Sequence, residues 1–228
     1  MIPFAVFFCT AMVACIAGCG SGPMPRLMDL LGNQSIQDDR SSTDNLEWTR
    51  ASTIGLVLHS DDMVQKASPA ISPTYRETLT RRTEKLLKNA CAFREILSLP
   101  SVSVPNNFSQ ALETHLQRFP VSYQILVVLS GQESTGPAKI GEATVMTQMS
   151  GTVIEHMALA EIGVLRTADK KIIFMKAGWG TETLEQLDVP IGDRQPSPMD
   201  AREILRAQAG QQALDRALAQ VASVCETG

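Results

Sequence analysis

Apolar residues are distributed very unevenly along this chain. Residues 1–17 form an almost unbroken apolar run that closes on Ala17-Gly18-Cys19, and beyond Cys19 the pattern is mixed. Residues 20–47 are dominated by Gly, Ser, Asn, Gln and Asp and have too little apolar surface to drive folding, so they read as a tether. The one apolar piece inside them, Leu27-Met28 with Leu30-Leu31, reads as a loosely held helical turn; docking on the domain or on a bilayer are the other readings. Trp48 marks where ordered structure is expected to begin. Residues 52–59 (STIGLVLH) are β-branched and aliphatic, which predicts a first strand, and Ser60-Asp61-Asp62 ends it. Ser72-Pro73 opens a helix, since Ser can cap and Pro fits the first helical position. Tyr75, Leu79, Leu86, Ala90 and Phe93 draw its apolar face. Arg76, Arg81, Arg82, Lys85 and Lys88 lie largely elsewhere, interleaved with Glu77 and Glu84, as on a solvated face.

Residues 94–99 (REILSL) predict a second strand, stopped by Pro100. A short helix follows from Pro105, with Phe108, Leu112, Leu116 and Phe119 on one face and Pro120 after it. In residues 123–129 (YQILVVL) five apolar residues run without alternation, as in a strand covered on both faces and therefore central. The second half changes style. Residues 131–141 read as a polar loop and 143–149 as an alternating strand, while 153–158 fit either strand or loop. Residues 159–166 and 171–176 predict strands joined by a tight hairpin at Thr167-Ala168-Asp169-Lys170, which Gly178-Trp179-Gly180 ends. A loop rich in Pro, Gly and Asp covers 187–196. Ser197-Pro198-Met199-Asp200 then opens a long helix to about residue 224, with Ile204, Ala207, Leu214, Leu218, Val221 and Cys225 on its face. Together these elements predict the α/β class: β-α-β-α-β, then antiparallel strands including a hairpin, then a long C-terminal helix, in a single mixed sheet with helices packed on it. The expected organisation is a leader over 1–18, a flexible tether over 19–47 and one α/β domain over 48–228.

The leader is too short for a comfortable transmembrane helix, which needs about 20 apolar residues, and it suits the apolar region of a secretory signal. With Ala17-Gly18 directly before Cys19 it resembles the lipobox of bacterial lipoproteins. The resemblance implies that the peptide before Cys19 is removed and that Cys19 is acylated, for instance with palmitate, and moors the chain to a membrane through lipid. It also implies a periplasmic setting, and Gly20 rather than Asp after the cysteine points to the outer membrane. No Lys or Arg precedes the apolar run, which departs from the pattern. The other reading is an uncleaved N-terminal anchor.

Charge narrows the partners. The formal net charge of −4 and a pI near 5.4 provide no basic excess for a phosphate backbone, so no nucleic-acid partner is expected. Aromatics make up 5 %, too few for a sugar- or base-stacking groove. Of five cysteines, Cys9 and Cys15 lie in the leader and Cys19 at its end. Cys91 and Cys225 remain, each at the end of a predicted helix. They pair if those ends are neighbours, with Cα atoms within roughly 7 Å, or else sit as two buried thiols. No Cys/His spacing matches a zinc site and no glycine-rich phosphate loop occurs, so neither a metal nor another cofactor is expected.

Candidate chemistry is thin. His59-Ser60-Asp61-Asp62 follows the first strand, at the carboxyl end where α/β sheets bind ligands, and a His with two carboxylates could hold a metal or act as acid and base. That cluster carries the alternative of an envelope hydrolase or metal-dependent enzyme; the plain reading is a strand-ending turn. Ser130-Gly131-Gln132 lacks the Gly-x-Ser-x-Gly of a nucleophile elbow. His115 reads as the rim of a helix, and His156 stands beside Glu155. Gln132 and Glu133, after the central strand, are candidate partner contacts. Trp179 between two glycines is a third, with capping of the core as its other reading. Element order over residues 48–224, with 54–58, 123–129 and 161–175 as the matching strands, resembles periplasmic α/β lipoprotein domains. These are the curli-secretion lipoprotein, the lipoprotein activators of penicillin-binding proteins, and the N-terminal domain of the Tol-system β-propeller protein. The resemblance implies a non-catalytic binding or assembly module, with another envelope protein as partner, and transfers no residue role.

Overall fold

The computed structural model describes residues 23–31, 43–60, 73–99, 114, 116–137, 151–187 and 198–227. In chain order the elements are α1 (Leu27–Leu31), a 3₁₀ helix (Thr43–Arg50), β1 (Thr53–Ser60), α2 (Pro73–Ala90), β2 (Glu95–Leu99), β3 (Tyr123–Pro137), β4 (Gly151–Arg166), β5 (Lys171–Leu187) and α3 (Pro198–Thr227). The strands form one mixed sheet in the order β2-β1-β3-β4-β5. β1 runs parallel to both β2 and β3, and β3, β4 and β5 pair antiparallel. The α/β class is therefore as the sequence predicts. β3 lies in the middle of the sheet, and its residues 124–130 are buried, as the unbroken apolar run at 125–129 requires. Among the described residues the helical part of the predicted second helix is Thr114 and residues 116–118. The predicted strand over 143–149 lies outside the described residues, as do residues 188–196 of the predicted loop.

Two apolar layers sandwich the sheet. On one face Ile54, Leu56, Leu58, Ile125, Val127, Leu129, Ile162 and Val164 meet Leu79 and Leu87 of α2 and Ala213, Leu214, Leu218 and Val221 of α3. Trp48, fully buried, closes this core against Phe93 and Phe174, with ring centroids 6.1 and 5.4 Å away. On the other face Val57, Leu126, Val128, Leu165 and Ile172 pack with Leu27 and Leu31 of α1 and with Leu116. The apolar piece at 27–31 is thus docked on the domain, not loosely held.

The three antiparallel strands are far longer than their apolar runs suggest: 15, 16 and 17 residues. At about 3.3 Å per residue each spans roughly 50 Å. β1 borders β3 only as far as Leu129, so residues 130–137, 151–159 and 179–187 form a three-stranded arm. Two expectations are corrected by this and one open choice is decided. Residues 131–137 are strand rather than loop, 153–158 are strand, and Gly178-Trp179-Gly180 lies in the middle of β5 rather than at its end. Polar residues persist in these strands because the arm has a solvated face. The tight hairpin at 167–170 is present. Lys170 takes the left-handed backbone (φ 57°), and the Asp169 carboxylate accepts hydrogen bonds from the Arg166 side chain (3.0 and 2.7 Å) and the Lys171 amide (3.3 Å).

Each helix face keeps most of its predicted residues, Leu79 in α2 and Leu214, Leu218 and Val221 in α3 among them, and departs at one position. In α2, Leu87 is buried and Leu86 is 36 % exposed. Thr83 is buried too, its hydroxyl satisfied by donation to the Leu79 carbonyl at 2.8 Å. In α3, Ile204 is 54 % exposed and Leu205 is buried instead. The reason is the small-residue stripe Ala209-Ala213-Ala217, at steps of four, which sits directly on Gly178 and Gly180 of β5. A Cβ on Gly178 would stand 2.3 Å from the Ala213 carbonyl oxygen, and one on Gly180 2.1 Å from that of Ala209. This close seat fixes the rotation of α3.

Candidate functional site

The two long helices define the first candidate region. Tyr75 Oη donates to the Ala207 carbonyl, Arg82 donates to both carboxylate oxygens of Asp215 (2.8 and 2.7 Å), and Cys91 is disulfide-bonded to Cys225 with Cα atoms 5.0 Å apart. The three ties span 132, 133 and 134 residues of sequence, so α2 and α3 run parallel and in step. Burial pushes the Tyr75 hydroxyl up to about 12, with the nearby Asp215 carboxylate adding and Arg82 opposing, so it stays a donor. Between the ion pair and the disulfide the helices part into a groove of about 340 Å³, floored by Leu86, Leu87, Ala90, Leu218 and Ala222, with Glu226 at one end. That volume is within the range of small-molecule pockets.

The second region is a charged cluster on the arm. Glu133, His156 and Glu182 face one another across β3, β4 and β5 on the side covered by α3. Arg206 reaches down from α3 to the Glu133 carboxylate (2.7 and 3.1 Å), and Arg202 stands 3.7 Å from it. Arg206 and Glu133 are each only 10 % exposed at the side chain, so the pair is largely desolvated. The His156 ring lies over Gly131, where an added Cβ would come within 2.7 Å of Nε2. Burial, together with the Arg206 charge and against the attraction of Glu133, lowers its pKa to about 4, so it is neutral at pH 7. The cluster fastens the N-terminal half of α3 to the arm. Gln212 adds a hydrogen bond to Glu182 farther along.

The third region is where the N-terminal segment meets the sheet. The Glu161 carboxylate, buried in β4, accepts the backbone N–H groups of Arg26 (2.5 Å) and Leu27 (3.0 Å) at the start of α1. Burial raises its pKa, outweighing those two donors. Leu27 fills the hollow left by Gly163, its Cδ2 only 2.7 Å from where a Cβ would be. Nothing in the local sequence announces this clasp. A lone Glu inside an apolar strand, two residues before a Gly, is the one signal that could have found it.

The sequence candidates fall as follows. His59 is half-buried at the end of β1, and Asp61 and Asp62 lie outside the described residues. Ser130 is buried, Gln132 is half-buried, and Glu133 is committed to Arg206 and Arg202. His156, read as standing beside Glu155, sits between Glu133 and Glu182. Trp179 is 46 % exposed and does not cap the core. Cys19 and His115 lie outside the described residues. Among the described residues no group of three or more His, Cys, Asp and Glu is placed to hold a metal, and no helix is long and apolar enough to cross a membrane.

No family model matches the sequence, and no curated protein matches it. Solved structures with similar shape include a hypothetical protein from Chlamydia trachomatis (9 % identity, TM-score 0.38, covering 78 % of this chain and 99 % of that one). A minor lipoprotein from Acinetobacter baumannii aligns at 6 % identity and TM-score 0.36, covering 76 % and 94 %. The rare lipoprotein B from Shewanella oneidensis aligns at 16 % identity and TM-score 0.29, covering 74 % and 94 %. Likenesses of this degree transfer no residue role to this chain.

Proposed function

We propose that this protein is a lipid-anchored envelope protein on the periplasmic side of a membrane, more specifically the outer membrane, and that it works as a non-catalytic binding or assembly module. The observation that carries the reading is a juxtaposition. The apolar leader ends at Ala17-Gly18-Cys19, and four residues later Pro23 begins a segment built into the sheet through Glu161 and Gly163. Acylation at Cys19 would hold the domain close to the bilayer, since four residues reach at most about 14 Å. Several acyl chains, each contributing about 0.8 kcal/mol per buried CH₂, make such an anchor stable.

The polar clusters fit a structural role. Glu133 is paired with two arginines and His156 is held neutral at pH 7, an arrangement that fastens α3 to the arm. A second envelope protein remains the proposed partner. The test is fractionation of cells expressing the full chain. Wild type is expected in the membrane fraction, with the unprocessed form accumulating under globomycin. Cys19→Ala is expected to abolish processing. Membrane association of a Cys19→Ala chain cleaved at the same site would contradict the reading.

A further inference from the structure

Strand β5 lies at the edge of the sheet, and its side chains alternate between the face covered by α3 and the face on which α1 docks. From Met175 onward the odd-numbered residues take the α1 side: Ala177 is paired with Glu161, which holds α1, and Trp179 with Leu159. Met175, Ala177, Trp179, Thr181 and Thr183 are all exposed there. Among the described residues five large apolar side chains are exposed: Met24, Leu86, Met175, Trp179 and Ile204. Three of them belong to this one side, because Met24 lies in the segment docked on it.

We propose that this face of β5, centred on Trp179 and Met175, lies against the lipid headgroups when the chain is anchored. The proposal rests on the anchored reading above. Its first support is reach. Cys19 precedes Arg26 by seven residues, at most about 25 Å of chain, and Arg26 is bonded to Glu161 on the strand next to Trp179. The described segment that follows the anchor therefore docks on the same side of the sheet as the exposed Trp and Met. Its second support is chemistry. An indole combines a flat apolar body with one N–H donor and is favoured at the level of the headgroups, where one end is dry and the other wet. Its third support concerns the competing occupant. An added strand would need the outward carbonyls of β5, but those of Ala177 and Trp179 already accept hydrogen bonds from Gln220 (2.8 Å) and Arg216 (2.7 Å) of α3. The edge is blocked there, whereas the face is open.

The experiment uses full-length protein extracted from membranes and reconstituted into vesicles of phosphatidylethanolamine and phosphatidylglycerol, with and without dibrominated acyl chains. The chain has two tryptophans, and Trp48 is buried, so Trp179→Phe isolates the Trp48 signal. The expected result is a blue-shifted Trp179 emission on vesicles and about two-fold quenching by the brominated lipid, absent in Trp179→Phe. An acylated, vesicle-bound chain whose Trp179 stays open to soluble acrylamide would overturn the orientation while leaving the anchor intact. A chain that is unacylated and fails to float with vesicles would overturn both. Trp179 shielded from acrylamide on vesicles yet not quenched by the brominated lipid would assign the face to a second copy of the chain and overturn the proposal.

Discussion

His156 sits inside the charged seam, Glu133 with Arg206, that ties the arm to α3. It is buried among Glu133, Glu182 and Arg206, and its pKa is lowered to about 4 from an ordinary value near 6.5. The sign follows directly. Unfolded His156 takes up its proton below about pH 6.5, whereas the folded ring resists until about pH 4. Its contribution to stability is therefore fully present above about pH 6.5 and is lost as pH falls towards 4, to the extent of about 3 kcal/mol. His156→Gln is expected to flatten the decline in urea midpoint between pH 6.5 and 4.5. An unchanged decline would place the titrating group elsewhere. Burial disfavours the charged form of Glu161 as well, and for an acid that raises the pKa: its contribution to stability is fully present below the unfolded value and is lost as pH rises through the folded one, while the two α1 N–H groups work against the shift.

At the scale of elements, the seat of α3 on β5 is decided by missing side chains. Gly178 and Gly180 alternate with Trp179, so the strand is bare on one side and bulky on the other, and Ala209, Ala213 and Ala217 supply the matching bare stripe. Gly180→Val is expected to destabilise by at least about 3 kcal/mol, since the clash is with backbone that cannot turn aside. Thermal unfolding measures it, and a change within about 0.5 kcal/mol, as at an ordinary surface site, would contradict the seat. Gly178-Trp179-Gly180 read as the end of the hairpin, because glycines in a strand make sense only once the helix that crosses them is known. The same gap explains the one misplaced residue on each helix face. Periodicity located both helices, while the choice of Leu87 over Leu86 and Leu205 over Ile204 depends on rotation, which the tertiary seat sets. The β-α-β start was readable from the short apolar runs at 52–59 and 94–99 with the periodic helix between them, and the central strand from the run at 123–129. The arm was not, since residues 131–137 are polar on a half-solvated strand and carry no strand signal of their own.

For the whole molecule, the disulfide and the N-terminal clasp do different work. Cys91–Cys225 closes a loop of 134 residues around β2, β3, β4 and β5 and joins the ends of α2 and α3. Removing it with Cys91→Ser plus Cys225→Ser is expected to cost roughly 3–5 kcal/mol, read as a lower denaturant midpoint. Equal midpoints for wild type and the double variant under non-reducing conditions would show that the bond does not form in the cell. The half-exposed Arg82–Asp215 pair, by contrast, is worth at most about 1 kcal/mol, so the groove between the helices owes its shape chiefly to the covalent tie and the packed core. The clasp at Glu161 and Gly163 fixes the side of the sheet on which α1 docks; under the proposed anchoring at Cys19 that side would face the bilayer. The most direct measurement of the central claim is the mass of the N-terminal peptide of protein purified from its native membrane. The expected peptide begins at Cys19 and carries acyl chains; a peptide that begins at Met1, or an unmodified Cys19 in protein recovered from the soluble fraction, would contradict the account.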